Sequence, residues 1–183
     1  MFEQIMVPLD GSARAEQVLP VAERLAVALG ATLHLVRVVP PVTAERGAQD
    51  GDARSSSEQV LHKAKRYLSA TVEHLHEGLT APGVADLDLA VTWSIAVDTD
   101  VAGAIIRLAE NGEDAQGAGV FGGCDVIAMA THGYSGLQRW AMGSITQRVL
   151  GATRLPLLVV RPPEMMDQSY VHWDQTTIAT IQG

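Results

Sequence analysis

The stretch from Asp125 to Val160, DVIAMATHGYSGLQRWAMGSITQRVLGATRLPLLVV, constrains the fold more than any other part of the chain. Val126 to Ala130 is a short apolar run bounded by turn formers, the pattern of a strand buried on both faces of a parallel sheet. Gly133 and Gly136 follow at once. Gly143 and Ser144 then open a segment that places Ile145 and Val149 on one helical face, and after Pro156 the run Leu157 to Val160 gives another strand. The glycine loop therefore joins the carboxyl end of a strand to the amino end of a helix. Doubly wound sheets bind ligands there, and the free N–H groups and the helix dipole favour an anion. Glycine lets successive N–H groups converge on a phosphate with no Cβ in the way, and Ser144 can cap an amide or meet a phosphate oxygen. The same residues also suit an ordinary turn and N-cap, so the local pattern alone leaves both open.

The remainder of the chain supplies the frame for this loop. Gln4 to Leu9 is an apolar strand whose donor-less Pro8 belongs at its end, and it stops at Asp10-Gly11-Ser12. From Ala13 onward, Ala15, Val18, Leu19, Ala22, Leu25, Ala26 and Leu29 form the apolar face of one helix, closed by Gly30. Thr32 to Val39 predicts the second strand, and strand, helix and strand in this length make a right-handed parallel unit. Residues 42–54 read as a polar surface loop. Ser55 and Glu58 have capping-box spacing ahead of a long helix with Val60, Leu61, Ala64, Tyr67, Leu68, Val72 and Leu75 on one stripe, ended at Gly78. Leu87, Leu89 and Val91 alternate as a third strand, Trp93 to Asp98 reads as an irregular connection, and Thr99 or Asp100 caps a helix that buries Val101, Ala104, Ile105 and Leu108. Asn111-Gly112 stops that helix, and residues 112–123 read as a flexible glycine-rich loop.

At 183 residues the chain suits one domain with a substantial core. A net charge of −8 with no basic patch argues against nucleic acid or an anionic membrane as partner. No apolar run approaches membrane-spanning length and the amino terminus enters a strand, so no membrane insertion and a cytoplasmic location are expected. Cys124 is the single cysteine, which excludes an intrachain disulfide or redox pair. His62, His74 and His76 lack the four-residue step that would pair two imidazoles for a metal, and they read as surface histidines. The loop is not a Walker A sequence, because Ile145 and Thr146 follow Gly143-Ser144 where that motif has lysine and then serine or threonine. Arg139 and Arg148 are the cations nearest in sequence, and no general base is positioned for attack by water.

VPLDGS at residues 7–12, RVV at 37–39, and ATHGYSGLQRWAMGSITQRVL at 130–150 followed by LPLLVV together resemble the universal stress protein domain. The resemblance covers most of residues 2–161. It implies an α/β fold: a single doubly wound, Rossmann-like domain over residues 1–161, with a five-stranded parallel sheet in the order 3-2-1-4-5, helices on both faces and a tail over residues 162–183. The nucleotide-binding branch of that family carries glycine, two residues, glycine, nine residues and then Gly-Ser or Gly-Thr. Gly133, Gly143 and Ser144 match, while the first position is Ala130, which adds a methyl and keeps the backbone N–H.

By the same resemblance, Asp10 and the backbone near Val38 would meet an adenosine, with Pro8 lining the pocket. Ala130, Thr131, His132 and Gly133 would pass beneath the ribose and phosphates, with Gly136 in the same loop. Gly143, Ser144, Ile145 and Thr146 would hold the phosphates. Asp10 equally suits the N-cap of the first helix. The implied ligand is ATP or AMP, with any Mg2+ carried by the phosphates, no metal site on the protein and no catalytic residue beyond at most a weak ATPase. The implied function is a cytoplasmic, adenine-nucleotide-binding regulator of the stress response, acting on a protein partner of unknown identity. A slow ATPase or adenylate-transferring enzyme and a dimeric interaction module without nucleotide are the alternatives. In the implied strand order Leu157 to Val160 lies at an edge, so a homodimer through these strands is expected, with Tyr170, Val171 and Trp173 of the tail packing there.

Overall fold

The computed structural model describes residues 2–42, 50–79, 89–112, 116–118, 122–131 and 142–161. Five strands run parallel: β1 (Gln4–Pro8), β2 (Thr32–Val39), β3 (Val91–Val97), β5 (Val126–Ala130) and β6 (Leu157–Val160). A short β4 (Gln116–Ala118) pairs antiparallel with β3. The sheet order is β4-β3-β2-β1-β5-β6, so the parallel strands follow the expected 3-2-1-4-5 order. The helices are α1 (Ala13–Glu16), α2 (Leu19–Leu29), α3 (Asp50–Leu79), α4 (Val101–Asn111) and α5 (Ser144–Ala152).

Strand alternation divides the core in two. Ile5, Val7, Leu33, Leu35 and Ala128 pack with Ala22 and Ala26 of α2 and Ala64, Leu68 and Leu75 of α3. Met6, Val36, Ile127 and Met129 pack on the other face with Ile105, Leu108 and Ala109 of α4 and Val149 of α5. Neighbouring residues of one strand thus serve opposite faces, as the two-residue period of a sheet requires.

The structure departs from the sequence expectations at four places. The first helix is two helices, because Pro20 lacks the N–H that would bond the carbonyl of Glu16 and its ring crowds that turn; α1 ends at Glu16 and Pro20 lies in the first turn of α2. Gly30 closes α2 as expected, in the left-handed conformation. The long helix begins at Asp50, ahead of the Ser55 cap, and ends at Leu79. The third strand is Val91–Val97, occupying the segment read as an irregular connection. Finally, the loop expected between Gly112 and Gly123 contributes β4.

The third strand was obscured by a buried polar cluster. The His34 ring hydrogen-bonds Thr92 Oγ1 at 2.6 Å and Ser94 Oγ at 2.9 Å, and both His34 and Ser94 are fully enclosed. Thr92 and Ser94 turn toward this ring, so alternation along β3 does not separate apolar from polar residues. Burial disfavours the imidazolium and lowers the His34 pKa from 6.5 to about 4. The unfolded chain therefore takes up a proton below about pH 6.5 that the folded chain refuses until about pH 4. Stability is complete above that window and falls as the pH is lowered through it, by a total of about 3 kcal/mol. Urea unfolding at pH 7 and pH 4.5 measures the loss, and a folded His34→Gln variant is expected to show a smaller difference between the two.

Candidate functional site

The site originates at a gap in the sheet. The Leu9 N–H donates to Val36 O at 2.8 Å, so by alternation Met6 and Pro8 turn their backbone groups toward β5. Pro8 has no N–H to give. Pairing between β1 and β5 stops at Met6 and Ile127, whereas β1 and β2 pair as far as Pro8 and β5 and β6 as far as Ala130. The strand order reverses between β1 and β5, and a crevice opens beyond their carboxyl ends. Its volume is about 280 Å3, with Pro8, Asp10, Val38, Ala130, Gly143, Ser144, Ile145 and Thr146 among its walls.

Three helices begin around this crevice, and their amino ends differ. The Ser12 side chain accepts the Ala15 N–H at 3.1 Å and closes α1. Asp100 Oδ1 accepts the Gly103 N–H at 3.2 Å and closes α4. α5 starts at Gly143 with no side-chain cap, and the Gly143 N–H itself donates to Thr131 O at 2.7 Å. The first-turn amides of α5 are thus the ones that meet the cleft uncapped, at the positive end of a helix dipole. Gly143 has φ −56° and ψ 145°, open to any residue, so glycine is not required here for conformational freedom.

The remaining walls of the cleft are acidic and apolar. Asp10 follows β1, and one carboxylate oxygen accepts the Ser12 N–H at 2.9 Å. The helix cap is therefore Ser12, not Asp10, which leaves Asp10 as a wall of the cleft. Val36, Val38, Val101, Ile105 and Met129 supply an apolar floor. Val101 and Ile105 had been assigned only to a buried helix face; their four-residue step beside the Asp100 cap was the available signal that they share a surface at the amino end of α4.

Several neighbours hold these parts in place. Arg148 on α5 bridges to Asp100 Oδ1 at 2.9 Å, tying the starts of α4 and α5 together, so its charge is engaged by a carboxylate. Asp98 Oδ1 accepts the Asp100 N–H at 2.7 Å and Oδ2 pairs with Arg107; the amide first and the guanidinium after it hold the Asp98 carboxyl below the usual range. Ser144, expected as a capping side chain, is the first helical residue and makes no cap. Thr146, buried, donates its hydroxyl to Ala130 O at 3.0 Å, leaving its amide for the cleft. Thr131 is buried at the end of β5. His132, Gly133, Gly136 and Arg139 lie outside the described residues. Burial pushes the Cys124 thiol up to about 12, so it is a neutral packed group and no nucleophile. Among the described residues no cluster of His, Cys, Asp or Glu could hold a metal ion, and no helix is long and apolar enough to cross a membrane.

The sequence model of the universal stress protein family matches residues 1–113 and 122–161. The chain belongs to the universal stress protein family. Universal stress protein MJ0531 of Methanocaldococcus jannaschii is 22% identical over 169 residues, covering 90% of this chain and 85% of its own. The solved structure of UspA from Lactobacillus plantarum is 19% identical with a TM-score of 0.65, over 87% of this chain and 98% of that one. Other solved members hold nucleotides. A universal stress protein from Archaeoglobus fulgidus in complex with dAMP is 17% identical with a TM-score of 0.53, over 87% and 97% of the two chains. A family member from Arabidopsis thaliana with AMP bound is 13% identical with a TM-score of 0.53, over 88% and 93%. A universal stress protein in complex with cAMP is 16% identical with a TM-score of 0.55, over 87% and 97%. Residues 114–121, which contain β4, fall between the matched segments.

The contact from Thr146 to the end of β5 gives this universal stress protein a testable structural dependence. Replacing Thr146 with valine keeps the shape and strands a buried carbonyl, so unfolding stability should fall by about 1 kcal/mol. Thr146→Ser keeps the donor and should lie closer to wild type in urea titrations.

Proposed function

We propose that this protein is a cytoplasmic regulator of the stress response that binds an adenine nucleotide, ATP or AMP, in the cleft between β1 and β5. The observation that carries this reading is the polarity of the cleft, whose walls include both an uncapped helix start after β5 and the Asp10 carboxylate after β1. A carboxylate repels phosphate and accepts hydrogen bonds from sugar hydroxyls or an amino group, while uncapped amides attract phosphate. A nucleotide therefore enters in one direction. Its adenosine lies along Pro8, Asp10 and Val38, and its phosphates lie over Gly143, Ser144, Ile145 and Thr146. Ala130 and Thr131, with His132, Gly133 and Gly136, are assigned to the passage beneath ribose and phosphates. The AMP, dAMP and cAMP carried by structural neighbours support an adenine ligand. Mg2+, when it accompanies the nucleotide, is carried by the phosphates.

Chromatography of the nucleotide released by heat-denatured protein, followed by thermal melts of nucleotide-free protein, tests this reading. Mg-ATP at about a hundred times its dissociation constant should add about 2.7 kcal/mol to stability. Gly143→Val should weaken ATP more than adenosine, because its side chain stands where the phosphates approach. Asp10→Ala should weaken ATP, AMP and adenosine alike. Absence of any melting shift at millimolar Mg-ATP would rule the reading out.

The regulatory unit is proposed to be a homodimer. β6 lies at one edge of the sheet and its four residues are half-buried, whereas β4 covers the outer side of β3 at the other edge. Ile127 donates to Pro156 O at 3.1 Å and Thr131 to Val160 O at 2.9 Å, so by alternation Leu157 and Val159 turn their backbone groups away from β5. Two copies pairing these strands antiparallel about a twofold axis remove both edges at once, with residues 162–183 packing beside them. Val159→Pro removes only an outward donor and should yield monomers that still bind ATP. Sedimentation of wild type as a monomer at high micromolar concentration would exclude the dimer.

A further inference from the structure

Arg37 lies between two residues that face the cleft without facing it itself. Val36 and Val38 line the crevice, and the intervening Arg37 turns to the opposite face of the sheet, toward α3. Its guanidinium lies 4.8 Å from the centre of the Tyr67 ring. It also packs against the turn that carries Asp10: a Cβ built on Gly11 would sit 2.5 Å from Nη1, 3.0 Å from Nη2 and 3.1 Å from Cζ of Arg37. Gly11 also has φ +82°, so glycine is required there twice, for the conformation of the turn and for the close approach of the guanidinium.

The contacts close into a ring. Asp10 accepts the Ser12 N–H, Ser12 caps α1, and α1 ends at Glu16. Glu16 Oε1 accepts the Tyr67 hydroxyl at 2.7 Å, and the Tyr67 ring stacks on Arg37, which returns to Gly11. The steps are hydrogen bonds, a short helix, a cation over a ring and the close approach of the guanidinium to Gly11. Rotation of the Asp10 turn away from β2 would therefore open a contact at the guanidinium.

The geometry points to Arg37 as a positioning residue for the nucleotide site: it clamps the Asp10–Gly11–Ser12 turn against the end of β2 and links the adenosine side of the cleft to α3. The clamp needs a broad planar cation that reaches the Tyr67 ring and Gly11 together, which arginine provides and lysine does not. It rests on the proposed nucleotide-binding reading and adds to it a residue that no ligand touches.

Calorimetric titration of ATP, AMP and adenosine into nucleotide-free protein tests it. In Arg37→Ala and in Arg37→Met, which keeps the apolar stem, all three ligands should lose affinity by the same factor, about tenfold, as for coupling between contacting groups. Arg37→Lys should not restore it. In an Asp10→Ala background the Arg37→Ala change should add nothing further, a non-additivity that simple destabilisation does not produce. Unchanged affinity in both Arg37→Ala and Arg37→Met overturns the inference while leaving nucleotide binding intact. A larger loss for ATP than for adenosine also overturns it, since that marks a direct phosphate contact, and so does full additivity with Asp10→Ala. Failure of wild type to bind any of the three overturns the nucleotide-binding reading and this inference with it.

Discussion

The two central strands, β1 and β5, are held at their amino ends by one carboxylate. Asp125 Oδ2 accepts the N–H groups of Glu3 at 2.7 Å and Gln4 at 2.9 Å, while its own N–H donates to Gln4 O at 3.0 Å. Those amides hold the Asp125 carboxyl below the usual range, so it stays charged well into acid. The clamp fixes the register of strands that otherwise share only the pairs Ile5 with Val126 and Met6 with Ile127. At the other end Pro8 withholds the next donor. A pair clamped at its start and unbonded at its finish must leave a crevice at the carboxyl ends, and the site follows from that asymmetry before any ligand is considered.

Position alone would not make the crevice a site for an anion. Three helix starts surround it, and side chains satisfy two of them, Ser12 for α1 and Asp100 for α4. The Arg148 to Asp100 bridge strengthens this division, since it sets a cation against the capped helix start and leaves the start of α5 to be met by something from outside. Among these three starts the cleft is electropositive at α5, and the Asp10 carboxylate after β1 makes another part of its wall acidic. In the proposed reading, directionality for a charged ligand comes from backbone amides and one carboxylate, with no lysine in the role it has in a Walker A loop.

Much of this was legible in the sequence where local pattern and tertiary role agree. β2, β5 and β6 have the bounds their apolar runs announce, and Asp100 starts α4 and Gly30 closes α2 as their chemistry suggests. Legibility failed where a contact distant in sequence overrides the pattern. Thr92 and Ser94 look like solvent-facing or loop residues until His34 is brought against them. Gln116–Ala118 has no strand propensity, and it is a strand only because the edge of β3 offers a row of hydrogen-bonding groups. At Pro20 a continuous apolar stripe concealed a broken backbone, because side-chain period and main-chain bonding are separate requirements. Of the residues that line the cleft, Asp10 and those after Gly143 had been named from a resemblance in motif. The step from Val101 to Ile105 marks a shared helix face, but that this face floors the cleft depends on how α4 crosses the sheet.

The cleft and the sheet edge are joined by a single residue. Thr131 donates its N–H to Val160 O at the end of β6 and accepts the Gly143 N–H at the start of α5, at 2.9 Å and 2.7 Å. Two hydrogen bonds therefore separate the uncapped helix start from the strand at the outer edge of the sheet. Ala130, immediately before Thr131, accepts the Thr146 hydroxyl, so the end of β5 is bonded to α5 at two successive carbonyls. A displacement of the first turn of α5 cannot be absorbed locally while those bonds persist, and must be shared with β6. The segment between the family-matched regions acts at the far side by laying β4 along β3, so among the described strands β6 is the parallel one whose outer edge remains unpaired. The uncapped start of α5 and the open edge of the sheet are thus built on the same short stretch of backbone.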